Sequence, residues 1–353
     1  MKVAIVSLYS RIGDVTGDCV QANKTAIALR SAGHDVVRCY LRPEDGFVYD
    51  ENALKMGRYE TVLADREIVH AMIPSWVLRK LPRVNAKLAC YTVFWKSLKS
   101  TLVTIRNNGK IRWPDIKDVA RTALSLIGIR TYSFYKDYDL LLPNSEDETR
   151  CVKRYCEIPR NAQVITIPNA IDALPSSIDE IARIASLPKE DYIVVPAYFA
   201  ARKNQIGLLD AIWDLKYPIV FMGEGPLLEK CRSKASSDCV FLGHVKHGTV
   251  EFWSALRHAR VVCLPSNCET PGIAGLEAAA VGARPVVPYE GGTAQYYGWC
   301  AEYHDPISRL SLRNSIIRAW QRGRLSAEDQ SMFRRLTWDV CAEKLIAAYS
   351  EVQ

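Results

Sequence analysis

The sequence predicts an α/β protein built from two doubly wound, Rossmann-like domains that face each other across a cleft. Short apolar runs with strand character alternate with helical segments along most of the chain. The alternation pauses at Pro168-Asn169-Ala170-Ile171-Asp172 and then restarts. In a chain of 353 residues each half is long enough for one domain of ordinary size. Such sheets bind ligands beyond the carboxyl ends of their strands, so the cleft is the expected site.

The first half opens with a strand over 2–8, a loop carrying Gly13 and Gly17, and a helix with Asp18 as N-cap that stops at Gly33. A strand over 35–40 completes a βαβ opening. Further strands are expected over 67–72, 87–93, 139–142 and 163–167. Ser145 and Glu148 spell a capping box for the helix after the third of these. Within 96–136, Ile116, Val119, Ala120, Ala123 and Ile127 mark one helix. In the second half strands are expected over 192–196, 218–222, 239–242, 261–264 and 284–287, each followed by a helix. Trp338, Cys341, Ala342, Leu345, Ile346, Tyr349 and Val352 share one face of a final helix. The expected domains are 1–167 and 168–337.

Composition narrows the class. Hydrophobic residues make up 48% and charged residues 24%, the balance of a soluble globular protein. No apolar run approaches the ~18 residues of a membrane span. The 11 cysteines are scattered, and no pair has CxxC spacing. The chain opens KVAIVSL after Met1, without the pattern of a signal peptide. Reduced thiols in a cytoplasmic protein are expected. Net charge is +7, but its source is local: between Arg79 and Lys136 lie 13 Lys or Arg and only Asp115 and Asp118. Seven of those cations, from Lys96 to Arg121, are interleaved with Leu98, Leu102, Ile105, Ile111 and Trp113. That segment is either an ordinary solvated face or a peripheral contact with an anionic membrane or a lipid-linked phosphate. No nucleic-acid recognition motif accompanies it.

The stretch CETPGIAGLE, residues 268–277, holds Glu269 and Glu277 eight positions apart. Pro271 and Gly272 keep Glu269 on a loop, and IAGLEAAAVG is helical up to Gly282. Glu277 then sits in the first turns of a helix whose start, around Gly272, Ile273, Ala274 and Gly275, offers N–H groups to an anion. A sugar diphosphate suits that place, with sugar hydroxyls on Glu269 and ribose hydroxyls on Glu277. Equally, both acids could do no more than favour the helix dipole. Arg202-Lys203 follow a strand and precede a helix, where the dipole disfavours cations, which supports a functional use. Gly223-Glu224-Gly225 begins like GxGxxG, but Leu228 fills the third position and the dinucleotide fingerprint fails. Asp137-Tyr138-Asp139 spells the DxD of metal-dependent transferases but reads better as the polar entry to a strand. No cluster of His, Cys and Asp has metal-ligand spacing, and neither metal nor cofactor is expected.

LPSNCETPGIAGLEAAAVGARPVV resembles the E-x7-E signature of retaining, GT-B-fold glycosyltransferases of family 4, the glycosyl transferases group 1. PNSEDE, IPNAID, VFMGEGPLLEKC, VFLGHV, PVVPYEGGTAQ and LTWDVCAEKLIAAYSEV match further segments of that family. The second half matches nearly throughout, the first mainly in its opening βαβ. The resemblance implies a first domain on the acceptor side, a second that holds a nucleoside-diphosphate sugar, and a final helix, about 338–353, crossing back onto the first. It implies Lys203 as a cation for the leaving diphosphate, Glu269 on the sugar, and Gly17, Gly223, His244 and Val245 bordering the nucleotide. The family arginine falls on Ala197 or Tyr198, so Arg202 is its candidate replacement. Phe94 stands where a histidine is usual, and His70 and Lys96 are candidates on the acceptor side. The implied reaction is sugar transfer with retention to an acceptor such as a growing glycan or lipid-linked saccharide. Attack is from the front face, and the leaving diphosphate takes the acceptor proton. No paired carboxylates of a glycosidase are apparent. The alternatives are a non-catalytic relative that binds nucleotide or a partner protein, and a sugar-nucleotide epimerase, for which no acid/base pair stands out.

Overall fold

The computed structural model describes residues 1–8, 17–42, 47–50, 55–73, 75–79, 83–92, 94, 97, 99, 102, 105 and 113–353. The chain forms two compact units. Unit 1 comprises Met1–Phe94, Arg121–Ala170 and Thr337–Gln353, and unit 2 comprises Trp95–Ala120 and Ile171–Leu336. The boundary thus falls between Ala170 and Ile171, within the pause at 168–172 and three residues after the expected division. The segment 95–120, which the sequence places in the first domain, belongs to unit 2. Two described side chains anchor it there: Ser97 Oγ donates to Glu290 Oε2 at 3.0 Å, and Lys99 Nζ lies 2.8 Å from Asp305 Oδ1.

Unit 1 is built on strands β1 (Lys2–Leu8), β2 (Asp35–Arg42), β3 (Phe47–Asp50), β4 (Lys55–Arg58), β5 (Ile68–Ala71), β6 (Lys87–Tyr91), β7 (Leu140–Leu142) and β8 (Gln163–Val164). Their order is β4-β3-β2-β1-β5-β6-β7-β8. β2, β1, β5, β6, β7 and β8 pair in parallel, whereas β3 and β4 add on as an antiparallel hairpin. FVYD and KMGR bury only Val48 between them, so no run of alternation announces that hairpin. The first helix begins at Gly17, which places Asp18 inside it and not at its cap. Its buried face, Ala22, Ala26 and Leu29, packs in one core with Val3, Ile5 and Leu140 and with Cys341, Leu345 and Tyr349 of the helix Trp338–Ser350. Each buried Leu or Ile there contributes about 1.5–3 kcal/mol.

Half of the expected capping box forms. Ser145 Oγ accepts from Glu148 N at 3.1 Å, capping the helix Glu146–Tyr155. The Glu148 carboxylate turns inward instead, accepting from Asn144 N, Thr92 Oγ1 and Phe94 N. The helix marked by Ile116 and Val119 spans Trp113–Leu126, but its apolar side is not its buried side. Thr122 and Ser125 are buried, whereas Trp113, Ile116 and Leu124 are exposed, as is Ile127 just beyond its end.

Unit 2 holds β9 (Ile193–Pro196), β10 (Ile219–Met222), β11 (Cys239–Phe241), β12 (Val261–Cys263), β13 (Arg284–Pro288) and β14 (Glu302–His304). The order is β11-β10-β9-β12-β13-β14 and every pair is parallel, the doubly wound arrangement. Helices cover the sheet through two apolar layers, one around Phe199, Leu208, Phe221 and Ile316, the other around Tyr192, Val220, Trp253 and Leu256. Strand order reverses between β9 and β12, so the loops leaving these two strands diverge and open a crevice at their carboxyl ends.

Candidate active site

Both loops at that reversal carry charge. β9 leads through Ala197–Ala200 into a tight turn, Ala201–Lys203, and then the helix Gln205–Ile212. Asn204 between them has φ +53°, a left-handed conformation that asparagine tolerates better than other side-chain-bearing residues. Its Nδ2 donates to Pro265 O at 3.1 Å, on the loop after β12. A Cβ at Gly207 would come 2.3 Å from Asn204 Oδ1, so glycine leaves room for this side chain. Asn267 N also donates to Arg202 O, at 2.8 Å. Two tethers therefore tie the loops together and set Lys203 opposite Glu269.

Lys203 Nζ lies 2.5 Å from Glu269 Oε1, and Ser266 Oγ donates to the same oxygen at 2.5 Å. Glu269 is 6% exposed and Lys203 15%. Desolvating a lone carboxylate is costly, and the ammonium and hydroxyl offset that cost. Arg202 is exposed beside this pair. Tyr198, at one of the two positions where the family arginine is expected, is 59% exposed and brings no charge.

Gly272 has φ +87° and starts the helix Ile273–Ala280 without a side-chain cap. Gly275 N and Leu276 N bond to Gly272 O, whereas the N–H groups of Ile273 and Ala274 meet no acceptor among the described residues. Those two N–H groups stand at the helix start that the sequence nominates for an anion. At two of the nominated glycines the protein's own atoms leave no room for a side chain. A Cβ at Gly275 would sit 2.5 Å from the Tyr297 hydroxyl, which donates to Gly272 O at 3.0 Å. A Cβ at Gly223 would sit 2.4 Å from Ala197 O. The protein's own atoms demand glycine at both places. Four residues into the helix, Glu277 is 2% exposed. His247 Nε2 meets its Oε1 at 2.6 Å. The sequence nominates His244 from this loop, but His244 is exposed and Val245 packs toward the Trp253 layer. His247 was missed because no spacing rule links a loop histidine to a helix thirty residues later.

The remaining nominated residues divide. Gly17 opens the first helix of unit 1, and Lys96 lies outside the described residues, as does Gly13. His70 is a correction. It is fully buried, its Nδ1 meets the Tyr349 hydroxyl at 2.7 Å, and its Nε2 accepts from Tyr91 N at 3.0 Å. Burial pulls its pKa down to about 3, so it stays neutral and structural, not a group for an acceptor. Phe94 is buried among Tyr132, Phe134, Tyr135 and Tyr155. In the DxD-like triplet, Asp137 pairs with Arg79 at 2.7 Å and Asp139 accepts from Leu88 N at 2.9 Å, which makes both structural. Among the described residues no three His, Cys, Asp or Glu side chains gather as a ligand set, and no helix is long and apolar enough to cross a membrane. A cavity of about 420 Å³ in unit 2 is lined by Asn204, Gln205, Asp210, Lys230 and Arg309 among others, but not by Lys203, Glu269 or Glu277.

The profile of the family "Glycosyl transferases group 1" matches residues 177–298, which contain Arg202, Lys203, His247, Glu269 and Glu277. No protein of curated function matches the sequence significantly. Solved structures share the fold at low identity. A sucrose-phosphate synthase from Thermosynechococcus elongatus superposes with TM-score 0.71 at 17% identity, over 99% of this chain and 98% of its own. Anabaena HepE, in complex with UDP and glucose, gives 0.63 at 13%, over 99% and 100%. A UDP-forming trehalose-phosphate synthase from Burkholderia xenovorans gives 0.62 at 12%, over 100% and 99%. The chain thus shares the GT-B fold of these glycosyltransferases, and its residues 177–298 match the glycosyl transferases group 1 profile.

Proposed function

We propose that this protein transfers a sugar, with retention of its anomeric configuration, from a nucleoside-diphosphate sugar held by unit 2 to a glycan or lipid-linked acceptor on the side of unit 1. The observation that carries the reading is the Lys203–Glu269 pair, set by adjacent loops at the strand reversal beside the N–H groups of Ile273 and Ala274. Breaking the sugar–phosphate bond places charge on the diphosphate. Lys203 and the helix start are fixed where that charge develops, and Arg202 stands within the same turn. Glu269 is then released by Lys203 to accept sugar hydroxyls, and Glu277 accepts those of the ribose. Neither acts as a nucleophile, and the departing diphosphate takes the acceptor proton. No metal or cofactor is required by this scheme.

Two of the similar structures above carry UDP in their descriptions, so UDP-sugars are the first donors to try. We place the enzyme in the cytoplasm. The exposed Trp113, Ile116 and Leu124, beside Lys117 and Arg121, suit an acceptor at an anionic membrane surface. The test is turnover of UDP-, GDP- and ADP-sugars followed by NMR of the anomeric proton. Retained configuration is expected; inversion sinks the mechanism, and absence of donor turnover or hydrolysis favours the non-catalytic alternative.

A further inference from the structure

We infer that His247 is a positioning residue of the nucleotide site, fixing Glu277 in the geometry that receives the ribose diol; this rests on the donor-binding role proposed above for Glu277. Glu277 projects from a helix whose surroundings are apolar, with Leu276, Ala278, Ala279 and Ala280 all buried. A carboxylate 2% exposed is stable there only with donors on its oxygens. An ionised carboxylate accepts and cannot donate, so the 2.6 Å contact is a hydrogen bond from His247 Nε2–H to Glu277 Oε1.

The imidazole is itself held from three directions. Its Nδ1 lies 3.8 Å from Asp172 Oδ2, beside the crossing at Ile171. Its ring packs against Phe252 at 4.7 Å and Trp253 at 6.2 Å between centroids, both from the helix Val250–Arg257. Those rings are buried members of the unit 2 core. The carboxylate near Nδ1 and the aromatic pair beside the ring limit how far the imidazole can turn away from Glu277. A diol that must place two hydroxyls on one carboxylate gains from meeting it already oriented. The ring is 41% exposed, so it can support Glu277 at the mouth of the site without sealing it.

The test is calorimetric affinity of the full chain for the tightest-bound of UDP, GDP and ADP and for its 2′,3′-dideoxy counterpart. His247→Ala is expected to weaken the ribonucleotide about tenfold and leave the dideoxynucleotide unchanged, because the side chain acts only through the ribose contact. His247→Gln places an amide N–H at similar reach and is expected to recover most of the loss; should His247→Ala fail to fold, His247→Phe, which keeps a ring but has no N–H to give Glu277, carries the test with the same expected loss. Equal weakening of both nucleotides, or none of either, overturns the assignment. A wild-type chain that binds none of the three nucleotides overturns the donor site itself, and His247 with it.

Discussion

The two units are built on similar parallel sheets, yet they use their buried polar groups in opposite ways. In unit 1, His70 sits in the sheet with both ring nitrogens satisfied by Tyr91 and Tyr349, and Glu148 takes three donors from loops around it. Among the described residues these two groups are taken up by the protein's own atoms. In unit 2, Glu269 lies on the loop after β12 and Glu277 in the first turns of the helix that follows, and each meets a side chain at the solvent edge, Lys203 and His247. Burial alone does not mark a functional acid. What differs is whether the partner is a fixed backbone or core group, or a cation or imidazole at an edge reachable by solvent.

The largest effect that would break this comparison is at Lys203. Lys203→Ala is expected to lower kcat by about 10²–10³, as befits loss of one preorganised charge, an effect larger than the stability lost by leaving Glu269 buried with Ser266 alone. Near-normal turnover by the folded variant would place Lys203 outside the chemistry. His70→Ala should do the reverse. It orphans Tyr91 N–H and the Tyr349 hydroxyl and is expected to cost roughly 2–4 kcal/mol in denaturant unfolding, with kcat per folded molecule retained. A fall in kcat without loss of stability would return His70 to the acceptor site.

The smallest effect is a pH dependence at Glu148. Burial, outweighing its three donors, raises its pKa from 4.5 to about 7. Between those values the native state holds the proton more tightly than the unfolded chain, so this group's contribution to stability is present below 4.5 and is lost as pH rises through 7. Glu148→Gln removes that slope, and its melting temperature relative to wild type should climb as pH goes from 4.5 to 7. A constant offset would mean that Glu148 is ionised throughout.

Much of unit 2 is legible in the sequence because most of its strands are short, largely apolar runs regularly followed by helices, and because Glu269, Lys203 and the glycines lie on the local turns that follow them. The antiparallel hairpin of β3 and β4 and the three-residue β14 carry too few buried positions to show a period. His70 misled because a histidine at a strand end looks the same in sequence whether its partners are protein or ligand; Tyr349, 279 residues away, decides it. The helix Trp113–Leu126 is legible in its apolar stripe, but its buried face is not. Its apolar stripe has the right period, but the core accepts Thr122 and Ser125, whose hydroxyls meet Tyr132 Oη and Arg121 O.

Unit 1 is discontinuous. Its chain leaves at Ala170, and returns at Thr337 to supply Cys341, Ala342, Leu345, Ala348 and Tyr349 to the core. The departing and returning strands are clipped side by side by a 2.7 Å bond from Ile171 N to Leu336 O. During synthesis, then, the lobe begun first is sealed second: its sheet waits, with an apolar groove uncovered beside the helix Gly17–Ser31, until more than a hundred and sixty intervening residues have left the ribosome. A nascent chain halted short of Thr337 would therefore expose a sticky, half-finished lobe to chaperones while its nucleotide-binding segment is already complete.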